Sequence, residues 1–143
     1  MTNPSWTLQF CPWSTHQEPL LDVRIRVFVN EQNVPIEEEV DDWDEPSLHL
    51  LATDLDGKPI GCGRMVPNRT VGRFAVDKEW RGKGLGSALL NTLLQRAKEE
   101  GWPEVRLSAQ VQAIPFYQSL GFEPFGDVFM DAGIPHRSML LTF

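Results

Sequence analysis

Over residues 6–10 apolar and polar positions alternate as a strand requires, and Pro12 to Thr15 reads as a turn. From His16 to Asn30 the period lengthens. Leu21, Ile25 and Phe28 recur at i, i+4 and i+7, with Leu20, Val23 and Val27 beside them, which predicts one amphipathic helix with a core face. Residues 33–46 hold two prolines and dense charge and read as a surface loop with room for a short helical turn. Two apolar runs, 48–54 and 59–66, flank Leu55-Asp56-Gly57-Lys58, and the Asp-Gly pair supplies the positive φ angles of a hairpin turn. A strand fits 70–76. Lys83 to Glu100 carries apolar residues at 85, 88, 89, 93 and 97, a helical spacing, and Gly101 stands at its C-cap. A strand over 104–109, a short helix over 112–120 closed by Gly121, and two strands near 126–130 and 136–143 complete the chain. The order β-α-β-β-β-α-β-α-β-β describes a mixed sheet with helices on both sides.

The 143 residues suit one domain, 1–143, with no repeat, linker or apolar run long enough for a membrane span. The opening residues show no basic and apolar leader, so the expected location is cytoplasmic. Cys11 and Cys62 then read as reduced, buried thiols. Charge is unevenly spread. Seven of the 20 acidic residues lie within positions 37–45, leaving 13 acids against 13 Lys and Arg elsewhere, so one segment holds the whole net charge of -7. An acidic chain repels phosphate backbones, which argues against nucleic acid and for a cationic partner. No metal site is expected: Asp42-x-Asp44-x-Pro46 lacks the glycine and distal glutamate of a calcium loop, and no histidine pair has ligand spacing.

Between a strand end and the long helix lies Arg81-Gly82-Lys83-Gly84-Leu85-Gly86-Ser87. Alternating glycines allow close backbone approach, the first N–H groups of the helix are unpaired, and the helix dipole favours an anion, so the segment is a pyrophosphate cradle. A packing turn is the plain alternative. The P-loop reading fails because Gly84, not Ser or Thr, follows Lys83, whereas a dinucleotide fingerprint survives only imperfectly, with Ser87 in place of its last glycine.

The spacing Arg81-x-x-Gly84-x-Gly86 resembles the acyl-CoA loop of the GCN5-related N-acetyltransferase (GNAT) superfamily. Phe74-Ala75-Val76 is similar to the bulged central strand of that family, and Phe116-Tyr117-Gln118-Ser119-Leu120-Gly121-Phe122 to its second signature. Residues 26–35, the strand end Ser108-Ala109-Gln110 and Gly133-Ile134-Pro135-His136 resemble more narrowly the ElaA-like and YjcF-like bacterial branch. The resemblance implies an α/β (α+β) fold with a mostly antiparallel sheet, a splayed central strand pair holding acyl-CoA, and acetyl transfer from acetyl-CoA to an amine. Phe74, Ala75, Val76, Arg81, Gly82, Lys83, Gly84, Leu85, Gly86, Ser87, Phe116 and Tyr117 are then the cofactor contacts.

Direct transfer needs a neutral amine, a donor for the oxyanion and a proton for the leaving thiolate. By the resemblance the Val76 N–H is the oxyanion donor and Tyr117 the general acid, although Tyr117 also suits a core aromatic. No carboxylate or histidine lies on 70–76, which leaves the base open among the acidic loop, His49 and His136. Glu38, Asp41 and Asp42 are candidate contacts for a cationic small-molecule or peptide amine, and Arg64 and Arg73 for a substrate carboxylate or for surface ion pairs. A CoA-binding sensor without turnover and a nucleotide-dependent oxidoreductase remain as alternatives, and exposed edge strands admit a monomer or a homodimer.

Overall fold

A computed structural model describes residues 5–143, so the first residues of the leader reading lie outside the described part. Among the described residues seven strands form one sheet in the order β1-β2-β3-β4-β5-β7-β6. They are β1 (Trp6–Pro12), β2 (Leu48–Asp54), β3 (Pro59–Val66), β4 (Thr70–Val76), β5 (Glu104–Gln110), β6 (Glu123–Asp131) and β7 (Ile134–Thr142). Every neighbouring pair is antiparallel except β4 and β5. The hairpin read from Asp-Gly is present: Gly57 sits at φ +85°, and Asp54 Oδ1 accepts from the Asp56 and Lys58 N–H groups at 2.9 Å. The last two strands are longer than expected because Ala132 and Gly133, both at positive φ, turn the chain in two residues.

Helices cover both faces. On one, α1 (Trp13–Arg24) buries Leu20 and Val23 against Leu51, Cys62 and Ala75. On the other, α3 (Leu85–Glu99) lays Leu85, Leu89, Leu90, Leu93 and Ala97 over Leu50, Ala52 and Ile60. Leu50 and Leu51 thus serve opposite cores, as the strand period demands. Close approach of α3 depends on bare backbone in β3. A Cβ at Gly63 would lie 2.8 Å from Leu93 Cδ1 and 3.0 Å from the Phe74 ring.

The helix expected over 16–30 differs in three ways. It begins at Trp13 directly after β1, without the predicted turn; it kinks at His16; and from Ile25 to Glu31 it continues as a π-helix. Gln32 N–H accordingly reaches back five residues to the Val27 carbonyl, at 3.2 Å.

The acidic segment departs most from its expected surface role. After a short helix α2 (Ile36–Glu39), it folds inward: Glu39 and Asp44 are buried and converge on Arg24, itself 1% exposed. Arg24 Nε donates to Glu39 Oε1 at 2.6 Å, and its Nη1 to Asp44 Oδ1 at 2.8 Å. Arg64 binds Asp41 at 2.7 Å and Asp44 at 3.0 Å, while Arg73 binds Asp41 at 3.1 Å. Burial pushes the Glu39 carboxyl up, and Arg24 and Arg73 offset part of that. Burial acts on Asp44 too, but hydrogen bonding to Arg24 and the nearby guanidinium charges outweigh it and hold that carboxyl low. Removing one partner strands the others, so Arg24→Met should cost about 3–5 kcal/mol in urea unfolding; a loss below about 1 kcal/mol would mean the cluster contributes nothing.

His49 sits beside this cluster, buried, with Nε2–H donating to the Asp44 carbonyl at 2.8 Å. Burial lowers its pKa, with Arg24 and Arg64 adding to the effect. The unfolded chain therefore takes up the proton first, and stability falls as pH drops below about 6.5. Urea midpoints should be lower at pH 5.5 than at 7.5, and His49→Gln should shrink that difference.

Candidate active site

Strands β4 and β5 share one ladder position, Thr70 with Arg106, and then part. Between them opens a cavity of about 870 Å³. The β4 side of the gap is irregular. Arg73 and Phe74 together oppose Gly63 of β3, a bulge in which Arg73 adopts φ +50°. The extra residue thus falls before Ala75 and Val76. Beyond it the ladder resumes, and Asp77 N–H donates to the Ile60 carbonyl at 2.8 Å. Since successive residues of a strand turn their N–H groups to opposite edges, that of Val76 faces β5 across the gap.

Tyr117 lines the cavity from α4 (Ile114–Gln118), edge-on to Phe116 and Phe122 at 5.2 and 6.0 Å. Burial pushes its phenol up to about 12, so the hydroxyl keeps its proton throughout the neutral range. Opposite the end of β5, His136 of β7 lines the same cavity and stacks on Phe129. Its Nδ1 lies 2.7 Å from the Ile134 carbonyl. A carbonyl only accepts, so Nδ1 carries a hydrogen, and in the neutral ring the lone pair is that of Nε2.

Glu38, Asp41, Arg64, Arg73 and Phe74 also border the cavity. His49 and Asp42 do not: His49 is buried under Trp13, and Asp42 is exposed outside it. The guanidiniums of Arg64 and Arg73 are held by Asp41, Asp44 and Glu39, in pairs that are buried or half-buried and not at the surface. The buried Cys62 thiol, pushed up to about 12 by its burial, donates to the Arg73 carbonyl. Gln32 and Gln110, whose amides join at 2.9 Å, also line the cavity, and neither they nor the buried Arg24 are expected from the sequence as part of the site or its support. Arg24 was visible as a charge four residues after Leu20 and three before Val27, within the apolar stripe.

Beyond the end of β4 runs the glycine loop. Gly84, at φ +88°, precedes the first turn of α3, where the Ala88 N–H makes the first helical bond to the Gly84 carbonyl. The N–H groups of Leu85, Gly86 and Ser87 therefore have no partner within the helix. Gly86 has no positive φ, and a Cβ there would meet nothing closer than Val76 at 3.9 Å. The protein's own packing does not require glycine at 86. Lys83 lies over the Trp80 ring at 5.1 Å, and Arg81 is clasped by Glu31 through two 2.9 Å bonds.

A parted parallel strand pair beside a glycine loop at a helix N-terminus is the frame of an acyl-CoA-dependent N-acyltransferase. A family model described as the acetyltransferase (GNAT) domain matches residues 16–143, and the chain belongs to that family of enzymes. It is 39% identical over 132 residues to the uncharacterised N-acetyltransferase YjcF of Bacillus subtilis (strain 168), covering 87% of this chain and 94% of that one. Among solved structures it resembles an acyl-CoA N-acyltransferase from Pseudomonas aeruginosa (TM-score 0.87, 30% identity, 96% and 100% of the two chains). Escherichia coli ElaA is similarly close (TM-score 0.83, 29% identity, 95% and 99%). The protein is thus an ElaA/YjcF-like member of the superfamily.

Adding a methyl group at position 86 separates folding from ligand binding. Gly86→Ala should leave the melting temperature unchanged or slightly raised, by the ordinary preference of a helix for alanine. Acetyl-CoA affinity, read by titration calorimetry, should nevertheless fall tenfold or more, and further than in Lys83→Ala. Equal losses in the two variants would argue against a main-chain cradle.

Proposed function

We propose that residues 1–143 work as one N-acetyltransferase domain that moves an acetyl group from acetyl-CoA to a primary amine. The observation that carries this reading is that one cavity is bordered by both Tyr117 and His136, a proton donor and a proton acceptor. Acetyl-CoA supplies a thioester carbonyl as electrophile. The loop from Arg81 to Ser87 would hold its phosphates, and the gap beside Phe74, Ala75 and Val76 its arm, with Phe116 beside Tyr117 at the edge.

Three of the chain's own groups then act. His136 Nε2 takes the proton that an arriving ammonium must lose, so the missing base on β4 is replaced from β7. The Val76 N–H stabilises negative charge developing on the carbonyl oxygen. Tyr117, whose hydroxyl keeps its proton throughout the neutral range, delivers that proton to the departing sulfur. A cationic acceptor finds Glu38 and Asp131 at the cavity. The steering field is smaller than the composition suggested, because Glu39, Asp41 and Asp44 are engaged by arginines. Two free, buried thiols accord with a reducing cytoplasm.

Release of free thiol from acetyl-CoA in the presence of a panel of primary amines tests the reading. Tyr117→Phe should lower kcat roughly 10- to 1000-fold with acetyl-CoA affinity within a few-fold, and His136→Asn should lower kcat/KM for the amine about 100-fold or more. If both variants retain wild-type turnover, the assigned proton path is wrong; if no amine stimulates thiol release, the transferase reading itself fails.

A further inference from the structure

The guanidiniums bordering the cavity are of two kinds. Those of Arg64 and Arg73 are held by buried or half-buried carboxylates of the same chain. Arg106 stands apart. It lies at the narrow end of the gap, opposite Thr70, with its side chain 55% exposed, and its ion pair is with the half-buried strand neighbour Glu104, 29% exposed, at 2.9 Å. A pair of that kind contributes little and exchanges easily for another carboxylate. Ser108 follows on the same face two residues later, and Ser138 stands directly across from it on β7; both border the cavity. The result is a guanidinium with two hydroxyls beside it, the donor set that a carboxylate accepts from.

We propose that Arg106, with Ser108 and Ser138, receives a carboxylate at the far end of the acceptor, so that the substrate is an ω-amino acid rather than a plain amine. The inference rests on the acyltransfer reading above, which sets the amine beside His136. His136 stands opposite Gln110, four residues along β5 from Arg106, an interval of about 13 Å at 3.3 Å per residue. An α-amino acid carries both groups on one carbon and does not bridge that interval. A chain with several methylenes between amine and acid does, with the arginine side chain reaching part of the way. Charge is arranged to match: the acids Glu38 and Asp131 border the cavity, and Arg106 marks its other end.

The test compares 6-aminohexanoate with hexylamine, which share chain length and amine but differ in the acid. Wild-type enzyme should favour 6-aminohexanoate in kcat/KM by about ten- to a hundredfold, the range of a charge-assisted hydrogen bond, and Arg106→Gln should bring that ratio down to near one. Ser138→Ala should lower the ratio less. A wild-type ratio near one, or one untouched in Arg106→Gln, overturns the proposal. Binding without acetyl-CoA separates it from the acyltransfer reading. If no amine is acetylated yet NMR titration shows 6-aminohexanoate binding that Arg106→Gln abolishes, the carboxylate site stands and the transferase reading falls. If wild type binds neither compound and acetylates neither, the carboxylate site falls as well.

Discussion

Strands β4 and β5 touch at a single ladder position, and the site depends on their separation beyond it. Two parallel strands buried in a sheet would ordinarily exchange hydrogen bonds along their length. Here their facing edges become the walls of a cavity, which can offer main-chain groups to a ligand, because backbone donors near a buried surface need some partner. The separation persists because each strand is held from its outer side: β4 by its ladder to β3 and β5 by a seven-pair ladder to β7. The sheet can be open at its centre because it is closed on both flanks.

The roof of that opening is electrostatic. Arg73 is the residue whose backbone makes the β4 bulge, and its side chain holds the Glu39 carbonyl at 3.2 Å and Asp41 at 3.1 Å. A non-glycine residue at φ +50° costs some energy, which the grip on the acidic loop offsets. Arg24 and Arg64 anchor the same loop from below. The loop that borders the cavity and the bulged strand beside it are thereby set by one network.

Long, strongly patterned elements were legible in the chain. Helix α3 was read within two residues of its ends, and the β2–β3 hairpin from its alternation and Asp-Gly turn, because both follow from local periodicity. The acidic segment misled for a physical reason: seven carboxylates in nine residues speak for water unless their partners are known, and Arg24, Arg64 and Arg73 lie far off in sequence. For the site, the glycine loop and Tyr117 stood out because their residue types and spacing are local. The role proposed for Arg106 did not, since it depends on Ser138 being brought across from another strand. Likewise the π-helix from Ile25 to Glu31 leaves no mark in the apolar period, which suits an α-helix equally well.

That π-helical stretch has a consequence for how the gene can change. Three residues within or beside it are moored to different parts of the molecule: Arg24 to the acidic loop, Arg26 to Asp77 and the Pro59 carbonyl, and Glu31 to Arg81 of the glycine loop. Losing one residue between Arg24 and Glu31 would shift everything after the deletion by one position around and along the helix axis. The moorings on the two sides of the deletion could not then be kept together. This stretch should therefore accept many changes of side chain between its anchors and almost no change of length, so insertions and deletions in a mutational library should be purged there far more sharply than substitutions.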